Sequence, residues 1–241
     1  MTSAIQILLA AAILFGLAVS VFLFYACSVP SSQILGPALV RGPSDGNRVV
    51  LTFDDGPADP YTNQVLDILR DYRVPATFFV CGKNVEHHPE IVRRIQAEKH
   101  TIGNHTFTHP FLYFKSQGQI AEEIDRTQSA IEHVTGVHPQ IFRPPYGARW
   151  FGLFAVLRQR GLTTIQWSAA SFDWVRKNRA EKIADMTLRR LRAGAVILMH
   201  DGREPRAPED VDASPTVAAL PAIIEGVRRA GFEFVPIEEF L

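Results

Sequence analysis

The chain has 241 residues, enough for one domain with a sizeable core, or for one domain plus an appendage. Hydrophobic residues make up 46% and charged residues 21%, a globular composition that excludes a disordered chain. The 25 basic and 25 acidic residues cancel. That argues against a nucleic-acid binder relying on bulk electrostatics and leaves a neutral sugar polymer open.

No charged side chain precedes Arg41, and Ile7 to Cys27 is almost continuously apolar. Such a run is long enough to cross a hydrocarbon core as a helix. It exceeds the apolar region of a secretory signal, and Met1 to Gln6 carries no lysine or arginine. Residues 1–28 are therefore read as a retained membrane anchor in preference to a cleaved signal. A lipid-modified Cys27 is a third reading, which the bulky Phe24 and Tyr25 fit poorly. Arg41 and Arg48 are too few to set an orientation. Residues 29–47 are rich in proline and glycine and read as a linker or an irregular first loop, with the main domain over 48–241. Two cysteines, Cys27 and Cys81, make neither a disulfide framework nor a cysteine zinc site. Any metal must be held by histidine and carboxylate, and Cys81 reads as a plain buried thiol.

From Arg48 onward, β-rich runs alternate with helical patterns. Strands are expected at Val49–Phe53, Ala76–Val80, Thr101–Gly103, Ile141–Phe142, Thr163–Trp167, Ala195–Met199 and Phe232–Ile237. Helices are expected over 62–72, 89–99, 116–134, 151–160, 180–192 and 217–229. The alternation predicts parallel strands joined by right-handed crossovers. It points to an α/β fold, a distorted (β/α) barrel of about seven parallel strands behind an N-terminal transmembrane or signal helix. In such barrels chemistry gathers at the C-terminal strand ends.

The unusual polar residues do follow strands. Asp54 and Asp55 close the first, and two carboxylates after an apolar strand are costly unless bound to something. An exposed Asp-Gly turn would explain them equally well. His105 and His109 follow the third strand, four apart, and would point the same way on one helical turn. With an aspartate from a neighbouring strand they make a two-histidine, one-carboxylate set suited to zinc, or to cobalt, iron or nickel. Arg143-Pro144-Pro145-Tyr146 follows the fourth strand, and the prolines leave the Tyr146 N–H as the next donor. Asp173 and Trp174 follow the fifth and Leu198-Met199-His200 closes the sixth, where a core histidine is, taken alone, the plainer explanation.

Together these segments resemble, in order, the five motifs of the polysaccharide deacetylases (the NodB homology domain, carbohydrate esterase family 4). The resemblance covers about Arg48 to Leu241 and leaves the N-terminal segment outside. It implies a barrel of (β/α) units and a hydrolase that removes N-acetyl groups from a chitin-, peptidoglycan- or exopolysaccharide-like glycan with metal-activated water. Asp55, His105 and His109 would hold a divalent metal, zinc first, with cobalt, iron or nickel as alternatives. Asp54 would be the base and His200 the acid, with Arg143 holding Asp54 and Asp173 orienting His200. The Tyr146 N–H would stabilise the oxyanion, and Trp174 and Leu198 would shape an acetyl pocket. One departure from the pattern is Ala170, where the fourth motif often carries an acidic residue. The remaining histidines, 87, 88, 100, 133 and 138, match no motif and read as surface or structural. Residues 203–212 read as a solvated loop that could border the substrate groove. The expected partners are an acetylated glycan and, through the N-terminal helix, a membrane. A monomer with an extracytoplasmic or secreted domain is expected. The alternatives are an acetyl-ester or non-sugar amide hydrolase on this scaffold, or a metal- or glycan-binding domain without turnover.

Overall fold

A computed structural model describes residues 2–175, 177–206 and 212–241. In chain order, helix α1 (Thr2–Ser28) precedes strand β1 (Arg48–Asp54), α2 (Tyr61–Tyr72), β2 (Thr77–Val80), α3 (Gly82–His87), α4 (Pro89–Ala97) and β3 (Thr101–Asn104). Then come α5 (Gln117–Thr135), β4 (Ile141–Phe142), α6 (Leu153–Gln159), β5 (Thr163–Thr164), β6 (Ala169–Ala170), α7 (Ala180–Leu188), β7 (Val196–His200), α8 (Ser214–Arg229) and β8 (Glu233–Phe234). Local chemistry sets several boundaries. Ser116 and Gln119 form a reciprocal capping box at the start of α5, and Gly136 closes it at φ 69°. Pro89 opens α4 at its first turn, where its missing N–H costs nothing.

All strand pairings are parallel, in the order β5-β4-β3-β2-β1-β7-β6, with β8 beside the start of β1. The sheet curls into the expected distorted barrel of (β/α) units. Period-two alternation divides each strand between two cores. On β1, Val49, Leu51 and Phe53 face the helices, packed with Leu66, Ile91 and Ile223. Val50 faces the barrel interior with Phe79, Ile165 and Val196. Thr52 and Asp54 share that interior face. On β7 the same rule sends Ile197 and Met199 outward and Leu198 and His200 inward.

The expected fifth strand, Thr163–Trp167, breaks after Thr164, and pairing resumes only at Ala169. Two competitors take the intervening backbone. Leu39 donates to Thr164 O at 2.9 Å and accepts from Gln166 N at 2.7 Å. The Arg143 guanidinium donates to the carbonyls of Ile165 and Gln166 at 3.3 and 3.1 Å. The barrel is thus open between β5 and β6. Residues 29–47 pack across the domain, with bridges from Leu39 to Ile165 and from Arg41 to Ala195.

Candidate active site

At the C-terminal end of β1, Asp54 and Asp55 part company. Asp54 keeps the strand's inward direction and is 3% exposed. Asp55 turns to φ 75°, a sparsely populated conformation for a non-glycine residue, and swings its carboxylate toward β3. There Asp55 Oδ1 lies 3.4 Å from His105 Nε2 and 3.1 Å from His109 Nε2. The two imidazoles do not sit on a helical turn. Residues 105–109 form a loop bent at Thr106 (φ 67°) and His109 (φ 54°), which brings the rings to 4.9 Å between centroids. The bend is pinned from α5. Glu123 accepts from the Phe107 and Thr108 N–H groups at 2.9 and 2.8 Å, and Asn104 Oδ1 accepts from Thr106 N at 2.9 Å.

The three ligand atoms lie within 4.8 Å of one another. His105 Nδ1 bonds the Arg143 carbonyl at 2.7 Å, and His109 Nδ1 bonds Glu204. Outer partners of this kind fix which nitrogen stays free to ligate. Asp55 Oδ1 is buried and has no hydrogen-bond partner among the described residues. A divalent cation would satisfy it, so the donor set fits a metal. Burial opposes the Asp55 charge, but the facing imidazoles outweigh it and hold the carboxyl below its usual range.

Arg143, fully buried, sits in the barrel interior. Its Nη1 donates to Asp54 Oδ1 at 2.6 Å and to Thr52 Oγ1 at 2.8 Å, and its plane lies 4.1 Å from the Phe79 ring centroid. Asp54 Oδ2, on the other side, points toward His105 at 3.8 Å. Across the site Asp173 holds His200. Asp173 Oδ1 lies 2.8 Å from His200 Nδ1, while its Oδ2 accepts from His200 N at 2.7 Å and Thr216 Oγ1 at 3.0 Å. Burial works against an imidazolium here, but the Asp173 carboxylate outweighs it and pushes the His200 pKa up to about 10. His200 therefore carries its proton, with Nε2 left to face the cavity.

A model described as polysaccharide deacetylase matches residues 41–165. A chitooligosaccharide deacetylase of Bradyrhizobium sp. (strain ANU 289) is 38% identical over 204 residues, covering 82% of this chain and 93% of its own. The chain belongs to the polysaccharide deacetylase family. Its fold superposes on a crystal structure of a peptidoglycan N-acetylglucosamine deacetylase at a TM-score of 0.79, with 32% identity over 85% of this chain and 92% of that one. It also superposes on a family pseudoenzyme from Bacillus anthracis at 0.76, with 25% identity over 85% and 68% of the two chains. This deacetylase is thus an enzyme of a metal-dependent family, and Asp55, His105 and His109 form a donor set that could hold a metal ion.

All ten site residues expected from the motifs meet around one region of the deacetylase. Most line a cavity of about 780 Å³, and Arg143 lies beneath its floor. Tyr146 bends to φ 58° after its two prolines, and its N–H has no hydrogen-bond partner among the described residues. Trp174 stands edge-on to the His200 ring, centroids 5.3 Å apart, above the buried Leu198.

Two residues of the deacetylase escaped the motif reading. Glu204 lies in the segment read as a solvated loop, yet it bonds His109 and also accepts from the Tyr146 hydroxyl at 2.5 Å. The His109 hydrogen bond keeps the Glu204 carboxyl below its usual range. The only available signal was its place four residues after a strand-end histidine. Residues 207–211 of that segment lie outside the described residues. Asp201 is 1% exposed behind Gly56 and accepts from Thr62 Oγ1 at 2.6 Å. The unmatched His100 is structural, its Nδ1 accepting from Ala76 N at 3.2 Å.

Proposed function

We propose that this deacetylase removes N-acetyl groups from a glycan of N-acetylglucosamine units, with zinc held by Asp55, His105 and His109. The observation that carries the reading is a buried carboxylate, Asp54, and an imidazole held by Asp173, His200, lining the same cavity as that donor set. A divalent cation bound there would lower the pKa of water from ~15.7 toward ~7 and would polarise the acetyl carbonyl. Arg143 engages one oxygen of Asp54 and leaves the other, facing the donor set, to take a proton from the attacking water. Water oxygen bonds to the acetyl carbon, and the Tyr146 N–H donates to the oxygen that gains charge. His200 Nε2 delivers its proton to the amide nitrogen as the C–N bond breaks, giving acetate and a free amine. Asp173 keeps the imidazole charged and aimed for that transfer. Leu198 and Trp174 form an apolar wall against which the acetyl methyl packs.

Helix α1 serves in this reading as a retained membrane anchor, with the domain of residues 48–241 on the extracytoplasmic side as a monomer. Ala26 and Cys27 support retention, since both are buried against the domain rather than free for processing. The relevant experiment is acetate release by the full-length chain in detergent. N-acetylglucosamine oligomers should be cleaved after zinc restoration and not after chelation, and in preference to acetylated xylan. Asp54→Asn should lower the rate by ~10²–10⁴, the usual contribution of a positioned base. An unchanged rate in that variant would sink the mechanism, and faster release from xylan would move the substrate to esters.

A further inference from the structure

Helix α1 leaves no slack between a bilayer and the domain. Ala4–Ser28 has a mean hydropathy of 2.8 over its most apolar window and spans 25 residues. That is about 37 Å at ~1.5 Å per residue, against a hydrocarbon core of ~30 Å. Yet its last turn is already inside the domain. Ala26 and Cys27 are 1% and 4% exposed, while Phe22 and Phe24, just before them, are 55% and 65% exposed. Cys27 O accepts from Arg149 N at 2.8 Å, and Ser28 Oγ lies 2.8 Å from the Tyr113 hydroxyl. The buried Arg149 guanidinium then takes the carbonyls of Val29, Pro30 and Ser32. A cation at the C-terminal end of a helix also meets the negative end of its dipole. A domain gripped at residue 26 sits at the surface from which the helix emerges.

The domain surface beside that helix end is aromatic. Tyr113 packs edge-on against Trp150 at 5.6 Å, and Trp150 touches Phe114 and Phe151 at 4.7 and 5.1 Å. Phe111 continues the chain of rings at 6.0 Å from Tyr113. Phe114, Phe151 and Phe111 are 87%, 56% and 55% exposed. Phe114 is held at φ 61°, a strained backbone for a bulky residue. Clustered exposed rings mark a surface that is covered by something. Aromatic residues concentrate where a protein meets the headgroup layer, with the ring in the apolar boundary.

We propose that Phe114, Phe151 and Phe111, backed by Trp150 and Tyr113, form an interfacial belt that seats the domain on the lipid bilayer crossed by α1. The proposal rests on the retained-anchor reading. A glycan strand also stacks on aromatic faces, but none of the three phenylalanines lines the catalytic cavity. The belt starts instead at the helix end, through the Ser28–Tyr113 contact. At its far end Phe111 stacks on Tyr146 at 3.8 Å, so the belt leads to the rim of the site. The site then opens beside the membrane and takes glycan that lies at the bilayer surface.

Site-directed nitroxides on the full-length chain in lipid nanodiscs test this. The two native cysteines are buried, so single cysteines at Phe15, Phe114, Phe151 and Arg189 accept the label selectively. Collision rates with oxygen and with a water-soluble nickel chelate report depth. The label at Phe15 should be deep, and that at Arg189 fully open to nickel. Those at Phe114 and Phe151 should collide with nickel several-fold less often than Arg189. If Phe15 is deep while Phe114 and Phe151 match Arg189, the anchor stands and the belt falls. If Phe15 itself is open to nickel, the anchor reading fails and takes the belt with it. Protection at Phe114 that arises only on adding an N-acetylglucosamine hexamer would assign the patch to glycan and overturn the proposal. Acetate release from soluble oligomers by each labelled protein checks that it is folded.

Discussion

Two arginines six positions apart are both buried to 1% or less, and they are neutralised in different ways. Arg143 projects into the barrel and meets a carboxylate, Asp54, at 2.6 Å, with Thr52 and two carbonyls completing its donors. Arg149 projects toward the end of α1 and meets no carboxylate among the described residues. It is held by backbone carbonyls alone, and its Nε lacks a partner. Burial lowers the pKa of both. The contrast separates two uses of a buried cation. One fixes the direction of a carboxylate in the candidate site, where a full countercharge lies alongside. The other ties chain segments together, where partial charges suffice.

Removing each cation should therefore hurt in different currencies. Arg143→Ala strands Asp54 as an uncompensated buried charge, a loss of about 3–5 kcal/mol in stability. Acetate release should fall with it, because the base loses its aim. Urea unfolding in detergent measures the first and the oligomer assay the second. A variant as stable as the parent would show that Asp54 finds another partner. Arg149→Met leaves carbonyls of Val29, Pro30 and Ser32 without donors, costing about 1–3 kcal/mol because water at the domain edge replaces part of what is lost. Its kcat/KM on soluble oligomers should match the parent, and a large drop would mean that the helix end is coupled to the site.

Glu204→Ala probes the side of the site that Arg143 does not reach. It removes the partner of His109 Nδ1 and frees the ring to rotate. Loss of such an outer partner typically weakens metal affinity by about 10–100-fold. Competition against a chelator of known affinity reads this directly. Glu204→Gln should recover part of it, since an amide oxygen still accepts the hydrogen bond. Equal affinities for Ala, Gln and parent would reduce Glu204 to a partner of the Tyr146 hydroxyl.

Several members of the candidate site were legible because they stand at a fixed place relative to an apolar strand. Val49 to Phe53 announces β1, so Asp54 and Asp55 must lie at its exit. Val196 to Met199 does the same for His200. What was not legible depends on partners distant in sequence. The fifth strand breaks because Arg143 and Leu39 claim its backbone, and neither is local to Thr163–Trp167. His105 and His109 converge through two positive φ angles rather than a helical turn, and Glu123 on α5 pays for that loop. Arg149 reads like any other basic residue until the carbonyls around it are seen. The short α3, six residues long, has too few apolar positions for a period to show.

Asp201 offers a third answer to burying a charge. It has neither a cation nor a ring of donors, and its Oδ1 is unpartnered among the described residues. Burial raises its pKa to about 7, with Asp54 and Asp55 adding to the rise against the Thr62 hydrogen bond. It therefore holds its proton well above the ordinary carboxylate range, where the two arginines stay charged. The sign follows from the ordinary value of 3.8. Between about pH 4 and pH 7 the folded chain holds a proton that the unfolded chain releases, so stability from this group falls as pH rises through that window. Asp201→Asn keeps the shape and cannot ionise, so it should gain on the parent steadily between pH 4.5 and pH 8. Melting curves of both proteins at the two pH values decide the point. If the parent gains on the variant as pH rises, Asp201 is ionised in the folded chain, and a counterion for it must be sought beside Gly56.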